Sequence, residues 1–482
     1  MKTKNSPTLA VGIDVHKKRH YARVKIRETR EIISPILKIY NSKRGLDFLL
    51  EKVNHLMEKY QAKGVIFALE PTGIYWKPLG YALHDRGCLV HLVNPVQVHY
   101  KRKEEDPAAN KNDKIDPGLI CDLVCDGKSN PARFMLGIFR LLQKTVRSRR
   151  DIVLELSSKK IKLKTVIYEL CPELVDAFTD IAGRVSMAIL RFSPSIDLLE
   201  STPLEELSSI FRIYGSHKTK ISPEKLLSQV RFSLGIRNDN QAHIKQIQMI
   251  LEQIDLLKRQ ISILEKDING YLKELGQTLT SIKGIGPILA AEVIAEVGDI
   301  DTFSSGRQLV KLAGLDTVES SSGETKRRRY ISKKGISSLR TTAILAAFSL
   351  IKSCPPFTDY FLYQTKVLAK KPMQAIIAVA DKFLRVCFYM LKNKTSFDPK
   401  RIGTGNLRTK AKFLNQSLEV SLDSKEIVNL DLNLLDIFSK SPKVVLFDEE
   451  DPTWVKIRIN SKVETFDLEE PRGRILALLN AL

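Results

Sequence analysis

Leu9-Ala-Val-Gly-Ile-Asp14-Val15 is an apolar run that contains one glycine and one acid near its end. A continuous apolar run of this length is typical of a buried β-strand. Gly64-Val-Ile-Phe-Ala-Leu-Glu70 repeats the pattern, again with an acid at its end. In open α/β sheets the active site lies at the carboxyl ends of the strands. If the two strands are parallel neighbours, we expect Asp14 and Glu70 to meet at one edge of a sheet.

The segments around these two strands predict an α/β domain. Alternating or continuous apolar runs indicate further strands, and longer runs with a period near 3.6 indicate helices. The predicted elements are strands at 21–26, 32–40 and 88–93 and helices at about 44–60 and 75–87. A meander of three strands followed by βα units is the order of ribonuclease-H-like folds. We predict this fold for residues 1–133.

A second pair of acids, Asp113 and Asp116, stands between Asn110 and Pro117 and is predicted to open the helix after the last strand. Positions i and i+3 share a helix face, so both acids can point at one spot. Such a pair repels unless a cation lies between the carboxylates. The alternative is a helix start whose dipole favours acids, with Asp116 as the cap. Together with Asp14 and Glu70, the pair makes an oxygen-ligand site suited to Mg²⁺, with Mn²⁺ as the second choice.

The charge of the chain predicts a polyanionic partner. Lys and Arg number 77 against 55 acids, which gives a net charge of +22. Such a field favours DNA, or another nucleic acid, over a neutral partner. No apolar run has the length of a membrane helix, and no signal-peptide core is present, so we expect no membrane. The six cysteines form no C-x-x-C pair, which argues against zinc fingers and fits a reducing cytoplasm.

Residues 134–277 predict a helical and coiled-coil region. The segment 134–172 reads as mostly helix, and its basic residues form either a solvated face or a phosphate-binding face. Over 244–277, apolar residues repeat every seven positions, with a second set three positions further on; the first set is Ile247, Ile254, Ile261, Ile268 and Leu275. This heptad pattern is the signature of a coiled coil, formed within one chain or with another protomer. We therefore expect a homo-oligomer, a dimer or a tetramer.

Residues 278–395 predict a mostly helical domain that begins with a helix-hairpin-helix. Its Gly284-Ile-Gly286 turn exposes backbone N–H groups at a helix N-terminus, where phosphate can bind, although an ordinary turn between helices has the same pattern. Further on, a serine run at 320–322 precedes a dense cluster of basic residues. The residues predicted to bind nucleic acid are Lys111, Lys114, Lys283, Gly284, Gly286, Lys326, Arg327, Arg328, Arg329, Lys333, Lys334 and Arg340.

The serine run has two interpretations. Serine is a weak nucleophile until its surroundings activate it, and neighbouring Arg and Lys can hold a phosphodiester and stabilise charge on it. The alternative is a flexible basic loop that only binds nucleic acid.

Residues 396–482 differ from the rest of the chain, because acids outnumber bases from about 415 onward. Alternation over Val455–Ile459 predicts a small β-containing appendix there, to which the sequence assigns no function.

In order along the chain, these motifs resemble the DEDD transposases of bacterial insertion sequences, the group typified by insertion sequence one-ten and related to the Piv invertase. The resemblance covers about residues 9–350. The matching motifs are Gly12-Ile-Asp14-Val, Leu69-Glu70-Pro-Thr-Gly73-Ile-Tyr75, Val93-Asn94-Pro95, Lys111-Asn-Asp113-Lys-Ile-Asp116, Gly284-Ile-Gly286-Pro287, Ala313-Gly314-Leu315, Ser322-Gly323 and Ile331-Ser-Lys333-Lys-Gly335-Ile-Ser-Ser-Leu-Arg340.

The resemblance implies a RuvC-like domain in which Asp14, Glu70, Asp113 and Asp116 hold Mg²⁺. It also implies a second domain whose serine forms a covalent link to DNA, and Ser322 stands at that position, although the run leaves Ser320 and Ser321 open. Some members use a structured RNA to pair with donor and target DNA, and work as tetramers.

The function that we expect is recombination of DNA for a mobile element. A metal-dependent, structure-specific nuclease of the Holliday-junction resolvase kind is one alternative, with the same acids and water as nucleophile. A non-catalytic coiled-coil protein that coats nucleic acid is the other, and it predicts steep dependence on salt.

Overall fold

The computed structural model describes residues 6–71, 73–105, 115–215, 221–320, 328–368, 370–402, 445–447, 454–459 and 462–467. The chain divides into two compact units, Met1–Phe134 and Met135–Leu482. Among the described helices, none is long and apolar enough to cross a membrane.

The first unit is a six-stranded sheet with helices on its faces. Its strand order is β3-β2-β1-β4-β5-β6. The elements are β1 (Thr8–Asp14), β2 (Arg19–Ile26), β3 (Leu37–Tyr40), α1 (Lys43–Tyr60), β4 (Gly64–Leu69), α2 (Trp76–Asp85), β5 (Leu89–Val93), α3 (Pro95–Glu105), α4 (Asp116–Cys125) and β6 (Ser129–Pro131). β1 runs antiparallel to β2 and parallel to β4, and β4 runs parallel to β5. The predicted meander followed by βα units is therefore present.

β1 is the central strand because both of its faces are buried. Leu9, Val11 and Ile13 point into one core, which they share with α1 and α2. Ala10 points into the other core, which is built mainly from α4. Alternate residues of a strand face opposite sides of the sheet, so a run that is apolar throughout needs a layer on each side.

Three details of this unit differ from the sequence prediction. β3 begins only at Leu37, and Ile32 makes a single isolated bridge to Lys25, because the intervening Pro35 has no N–H to donate to a ladder. β6 was not predicted, since its three residues carry no hydrophobic pattern. The helix that follows β5 is α3, and Asp116 opens the next one, α4, with Ile115 as its cap. The prediction that Asp116 is the cap was therefore wrong by one position.

The second unit is built mainly from helices. Its helices are α5 (Gly137–Leu170), α6 (Pro172–Ala177), α7 (Arg184–Phe192), α8 (Ile196–Ser201), α9 (Leu204–Tyr214), α10 (Pro223–Val230), α11 (Gln241–Glu274), α12 (Pro287–Val297), α13 (Gly306–Leu312), α14 (Ser337–Ser353), α15 (Pro355–Leu362) and α16 (Pro372–Asn393). Two antiparallel strands, β7 (Thr317–Ser320) and β8 (Arg328–Ile331), form a ribbon between α13 and α14. Near the C-terminus, β9 (Val445–Phe447), β10 (Trp454–Ile459) and β11 (Lys462–Asp467) form an antiparallel sheet, which includes the predicted strand at Val455–Ile459.

α5 and α11 are each 34 residues long and pack along one another. The predicted heptad residues Ile247, Ile254 and Ile268 are buried on the inner face of α11, and Ile261 is half-buried there. Short helices α6 to α10 lie between the two long helices in sequence and form a separate core at one end of the pair. The other end of the pair shares a core with α12 to α16. A coiled coil and a helix-hairpin-helix remain predictions for this unit.

Candidate metal centre and serine ribbon

Asp14 and Glu70 lie side by side at the carboxyl edge of the sheet. Ile13 of β1 pairs with Leu69 of β4, and the two acids come next along these parallel strands. Asp14 is fully buried and Glu70 is 6% exposed. Asp14 Oδ1 has no hydrogen-bond partner among the described residues. A buried oxygen without a partner costs free energy, which a bound cation would recover.

Asp116 reaches the same strand through the packing of α4 on β1. A Cβ at Gly12 would lie 2.2 Å from the carbonyl oxygen of Pro117, so only glycine lets the start of α4 come this close. Cys121 then receives a hydrogen bond from the N–H of Gly12 at 3.0 Å, and burial raises the pKa of its thiol to about 12. Asp116 is fully buried in the first turn of α4. The predicted Asp113, Lys111 and Lys114 lie outside the described residues.

Two side chains that the sequence did not single out contact these acids. His16 Nε2 lies 3.0 Å from Asp14 Oδ2. Arg102 of α3 donates to Asp116 Oδ1 from Nε at 2.9 Å, and its Nη2 lies 2.8 Å from the same oxygen. The separation of two between Asp14 and His16, which places both side chains on the same side of an extended chain, could have revealed the first contact. The contact between Arg102 and Asp116 had no sequence signal, because which residues of α3 and α4 face each other depends on how the two helices pack.

The donor chemistry of the acids fits a hard divalent cation. Buried carboxylates at the edge of a sheet are ligands that Mg²⁺ and Mn²⁺ accept. Over the residues that the structure describes, however, no three His, Cys, Asp or Glu side chains converge closely enough to hold an ion. His16 and Arg102 hold two of the three described acids instead. The acids are therefore suitable ligands for such an ion. In the present arrangement, His16 and Arg102 make contacts with the acids that a cation would otherwise make.

A buried histidine supports the segment that follows Asp14. His20 is fully buried on β2, and its Nδ1 accepts a hydrogen bond from the N–H of His16 at 3.3 Å. Burial lowers the pKa of His20 below its ordinary value of 6.5, with a hydrogen bond to Asn41 acting in the opposite direction. A neutral ring that accepts at Nδ1 carries its proton on Nε2.

The ribbon of β7 and β8 contains Ser320, the first residue of the serine run, and its base is tightly bonded. Ser320 pairs with Arg328 across the two strands, and residues 321–327, including Ser322, Lys326 and Arg327, lie outside the described residues. At the base, the Ser332 hydroxyl donates to the Asp316 carboxylate, and the N–H of Ser332 donates to the carbonyl of Asp316 at 2.8 Å. A Cβ at Gly335 would lie 2.4 Å from the carbonyl oxygen of Leu312. The segments on both sides of the serine run are thus fixed against each other.

The remaining predicted nucleic-acid ligands fall into two groups. Lys283, Lys333 and Lys334 are exposed, and Gly286 caps α12 without a side-chain hydrogen bond. Arg340 Nη1 donates to the carbonyl of Ala313 at 3.0 Å, so part of its guanidinium supports the ribbon base. The carbonyl of Gly284 accepts from the Ser349 hydroxyl at 2.6 Å. For Arg328 and Arg329, the structure describes only the backbone in β8.

Three arginines of α5 make ion pairs with glutamates of neighbouring helices. Arg147 donates to Glu296 from Nε at 3.1 Å and from Nη2 at 2.7 Å. Arg150 Nη2 lies 3.1 Å from Glu292 Oε2, and Arg149 Nη2 lies 2.7 Å from Glu265 Oε1. These pairs join α5 to α12 and α11, so the interpretation of these three residues as a phosphate-binding face has less support than their role in packing.

The chain is similar to two transposase families, to individual transposases and, in part, to one solved structure. Residues 276–362 match the family described as "Transposase IS116/IS110/IS902 family", and residues 11–172 match a DEDD-type family of the same group, described as "Transposase". A probable family 20 transposase of Pseudomonas aeruginosa is 30% identical over 338 residues, which are 69% of this chain and 86% of that one. The transposase for insertion sequence element IS1111A of Coxiella burnetii is 32% identical over 123 residues, which are 25% of this chain and 34% of that one. A Thermus thermophilus RuvC structure with a Holliday junction substrate is 12% identical, covers 26% of this chain and 99% of its own, and has a TM-score of 0.19.

Matches to two transposase family models, together with a match over most of a relative's length, define a transposase, an enzyme that cuts and rejoins DNA. The chain belongs to the IS110 family of DEDD transposases.

Proposed function

We propose that this protein recombines DNA for an insertion sequence, with a four-acid metal site and a serine nucleophile. The observation that carries the proposal is the burial of Asp14 and Glu70 at one sheet edge, and of Asp116 at the start of the helix that packs on β1, in a chain of this family. Buried acids are costly in a fold unless they bind a cation or another partner.

Asp14, Glu70, Asp113 and Asp116 would hold Mg²⁺, or Mn²⁺ as the second choice. When bound, the ion supplies Lewis-acid polarisation of the scissile phosphate. The chain's own contribution is to orient these acids, since Asp14 and Glu70 end paired strands and Asp116 begins a helix that packs on β1. His16 would orient Asp14 from outside the ligand set.

In the proposed reaction, the Ser322 hydroxyl oxygen attacks phosphorus. A bond from serine to phosphorus forms, the bond from phosphorus to the leaving sugar oxygen breaks, and the serine proton passes to a base or water. Rejoining reverses these changes with a new sugar hydroxyl, so no outside energy is needed. The bonded base of the ribbon supports this proposal, because it would hold the serine segment on a rigid element.

The DNA backbone is the proposed ligand of the exposed basic residues. Lys283 stands beside the open start of α12, and Lys333 and Lys334 stand beside the ribbon base. Helix N-termini and lysines both favour phosphate. In part of this family a structured RNA guides the reaction, and the net charge of +22 would suit a second nucleic acid. Nuclease treatment of purified protein, followed by sequencing of what it protects, tests for such an RNA.

Oligomerisation through the long helices is also proposed. On the outside of the α5 and α11 pair, large apolar residues repeat every seven positions and are 47–68% exposed. They are Leu154, Ile161 and Tyr168 on α5 and Met249, Leu256 and Ile263 on α11. Outward seams with heptad spacing suit knobs-into-holes packing with a second copy of the chain.

Covalent trapping tests the nucleophile. Protein is incubated with labelled DNA that carries the ends of its own element, and the adduct is mapped by mass spectrometry. We expect Ser322→Ala to abolish the adduct, with Ser320→Ala and Ser321→Ala as matched variants. An adduct at full yield in Ser322→Ala would move the role to a neighbouring serine or to water. Free ends without any adduct would favour the resolvase-like nuclease, and binding without cleavage would favour a passive nucleic-acid binder.

Light scattering of purified protein tests the seams. We expect the double variant Ile161→Glu with Ile263→Glu to lower the molar mass to that of one chain. Lys162→Glu introduces a glutamate on the same helix but away from the seam, and should leave the mass unchanged. An assembly that survives the double variant would show that the seams are not the interface.

A further inference from the structure

Arg102 is a buried cation on a helix whose other described basic side chains are more accessible. On α3, Val98 and Arg102 are four residues apart and both face inward, while Tyr100 and Lys103 are exposed. Arg102 is 8% exposed and its partner Asp116 is fully buried. A buried arginine is kept in a fold only when its charge has a partner, so this contact is specific rather than incidental.

The geometry of the contact is unusual for an arginine and a carboxylate. Nε and Nη2 of Arg102 both lie within 2.9 Å of the same oxygen, Asp116 Oδ1. The common strong arrangement places two parallel hydrogen bonds on two oxygens. Here the guanidinium holds one oxygen of the carboxylate from one side. A divalent ion approaching Asp116 would meet a carboxylate that already has a cationic partner.

The acids around Arg102 indicate that its positive charge does what the charge of a divalent ion would do. No three described acids converge on one point, although Asp14, Glu70 and Asp116 come from adjoining elements. Three buried carboxylates repel one another, and a neighbouring positive charge relieves that repulsion. A divalent ion at these acids would supply the same relief with twice the charge, and it would repel the guanidinium on the carboxylate that they share.

We propose that Arg102 is a positioning residue that acts as the counter-cation of Asp116 in the metal-free protein and competes with the divalent ion for this acid. The inference rests on the proposed metal site. Arg102 holds the buried acid in place until metal arrives, and metal binding then weakens the contact. Removing the guanidinium makes the site more negative, so the metal binds more tightly.

The competing view is that Arg102 and Asp116 form an ordinary structural ion pair. The same unit offers a matched example, since Lys25 Nζ lies 2.7 and 2.8 Å from the two oxygens of Asp122, also on α4, and both side chains are almost buried. Neither of these residues belongs to the four-acid set. Replacing either cation should reduce stability, but only the loss of Arg102 should alter metal affinity.

The test is calorimetric titration of the full chain with Mn²⁺, without DNA. We expect Arg102→Gln to bind Mn²⁺ at least about tenfold more tightly than the unsubstituted chain, where tenfold corresponds to about 1.4 kcal/mol. Lys25→Gln should keep the original affinity to within about twofold, well below that difference. The rise in melting temperature on saturation with Mn²⁺ should also be larger for Arg102→Gln than for Lys25→Gln, because tighter binding stabilises more.

Asp14→Asn separates failure of this inference from failure of the metal site itself. If Asp14→Asn binds Mn²⁺ as well as the unsubstituted chain does, the proposed four-acid site is wrong. If Asp14→Asn loses binding while Arg102→Gln binds equally well or more weakly, only the competition is wrong. Should Arg102→Gln not fold, Arg102→Lys replaces it, because lysine keeps the charge but loses the second nitrogen. A modest gain in affinity is then expected, and no gain overturns the proposal.

Discussion

Two sets of buried acids in this protein differ in how completely their oxygens are bonded. In α12, Glu296 is 1% exposed and receives hydrogen bonds from Arg147, Ser338 and Gln143, while Glu292 receives one from Thr342 at 2.6 Å. At the sheet edge of the first unit, Asp14 is fully buried and its Oδ1 has no hydrogen-bond partner among the described residues. Burial alone therefore does not distinguish the two sets. They differ in saturation, by which we mean how many of the carboxylate oxygens have a hydrogen-bond partner.

The degree of saturation separates an acid with a structural role from one whose oxygens can still bind a ligand. The partners of Glu292 and Glu296 come from α5 and α14, so these acids tie three helices together. Asp14 ends a strand and has its described side-chain contact with His16, which is one third exposed. A fold that leaves a buried oxygen unbonded accepts a local cost in stability, which is common at sites that bind or react.

The largest expected effect is on catalysis. Asp14→Asn should reduce strand cleavage at the element's own ends by about a thousandfold, since loss of metal-based stabilisation of the transition state is worth several kcal/mol and each 1.36 kcal/mol is tenfold. Its free energy of unfolding should not fall, because asparagine removes a buried charge. Gel assays of cleavage and urea unfolding measure the two quantities. Asp85→Asn, at an exposed position of α2, is the control and should retain activity. Loss of stability in Asp14→Asn would mean that Asp14 is a structural acid like Glu296.

The next effect is on stability alone. Glu296→Ala should lower the free energy of unfolding of the second unit by about 2–3 kcal/mol, because Ser338 and Gln143 lose a partner and a buried ion pair is broken. The value lies below that of a fully buried pair, since the Arg147 side chain is 44% exposed. Hydrogen exchange of peptides from α12 and α14 measures it. Glu265→Ala breaks the pair with Arg149, in which the acid is 36% exposed rather than 1%, and should cost less than about 1 kcal/mol. Equal costs in both variants would contradict the importance of saturation.

The difference between the two sets was only half predictable from the sequence. Asp14 and Glu70 could be placed from the sequence because each stands at the end of an apolar strand, and the hydrophobic pattern is enough to predict the strand and its end. Glu292 and Glu296 were overlooked because they stand in an otherwise apolar helix. Their partners are about 50 to 150 residues away in sequence, and such choices depend on how helices pack. The same reason explains why Arg102 was missed, whereas the heptad face of α11 was predicted from its own repeat.

A smaller effect is expected from the contact that orients Asp14. His16→Ala should lower cleavage activity by about tenfold, because groups that orient a metal ligand typically contribute ten- to a hundredfold. His55→Ala, at an exposed position of α1, should have no effect. Because a direct ligand would also change which ions bind, Mn²⁺ affinity should be measured beside activity. Complete loss of Mn²⁺ binding would mean that His16 is itself a ligand, and the described site would then mix nitrogen with oxygen.

The smallest expected effect concerns pH and the support beneath His16. Burial lowers the pKa of His20 below 6.5, so the folded state binds fewer protons than the unfolded state near that pH. The stability that neutral His20 contributes is therefore present above about pH 6.5 and is lost as the pH falls below it towards the folded pKa. Protonation also removes the acceptor at Nδ1 for the N–H of His16, a hydrogen bond worth about 1 kcal/mol.

Hydrogen exchange of β2 amides, corrected for the intrinsic rate, should therefore show protection that falls between pH 7.5 and 5.5 in the unsubstituted chain. His20→Asn should flatten this dependence, because the asparagine Oδ1 can accept in place of Nδ1 and does not titrate in this range. Glu292 and Glu296 provide the contrast, since acids held by arginine and hydroxyl groups have no histidine in their described contacts. Protection in α12 should stay constant over the same interval. If α12 and β2 lose protection in parallel, the pH dependence belongs to the whole fold. The stability of the sheet edge would then be no more sensitive to pH than that of α12.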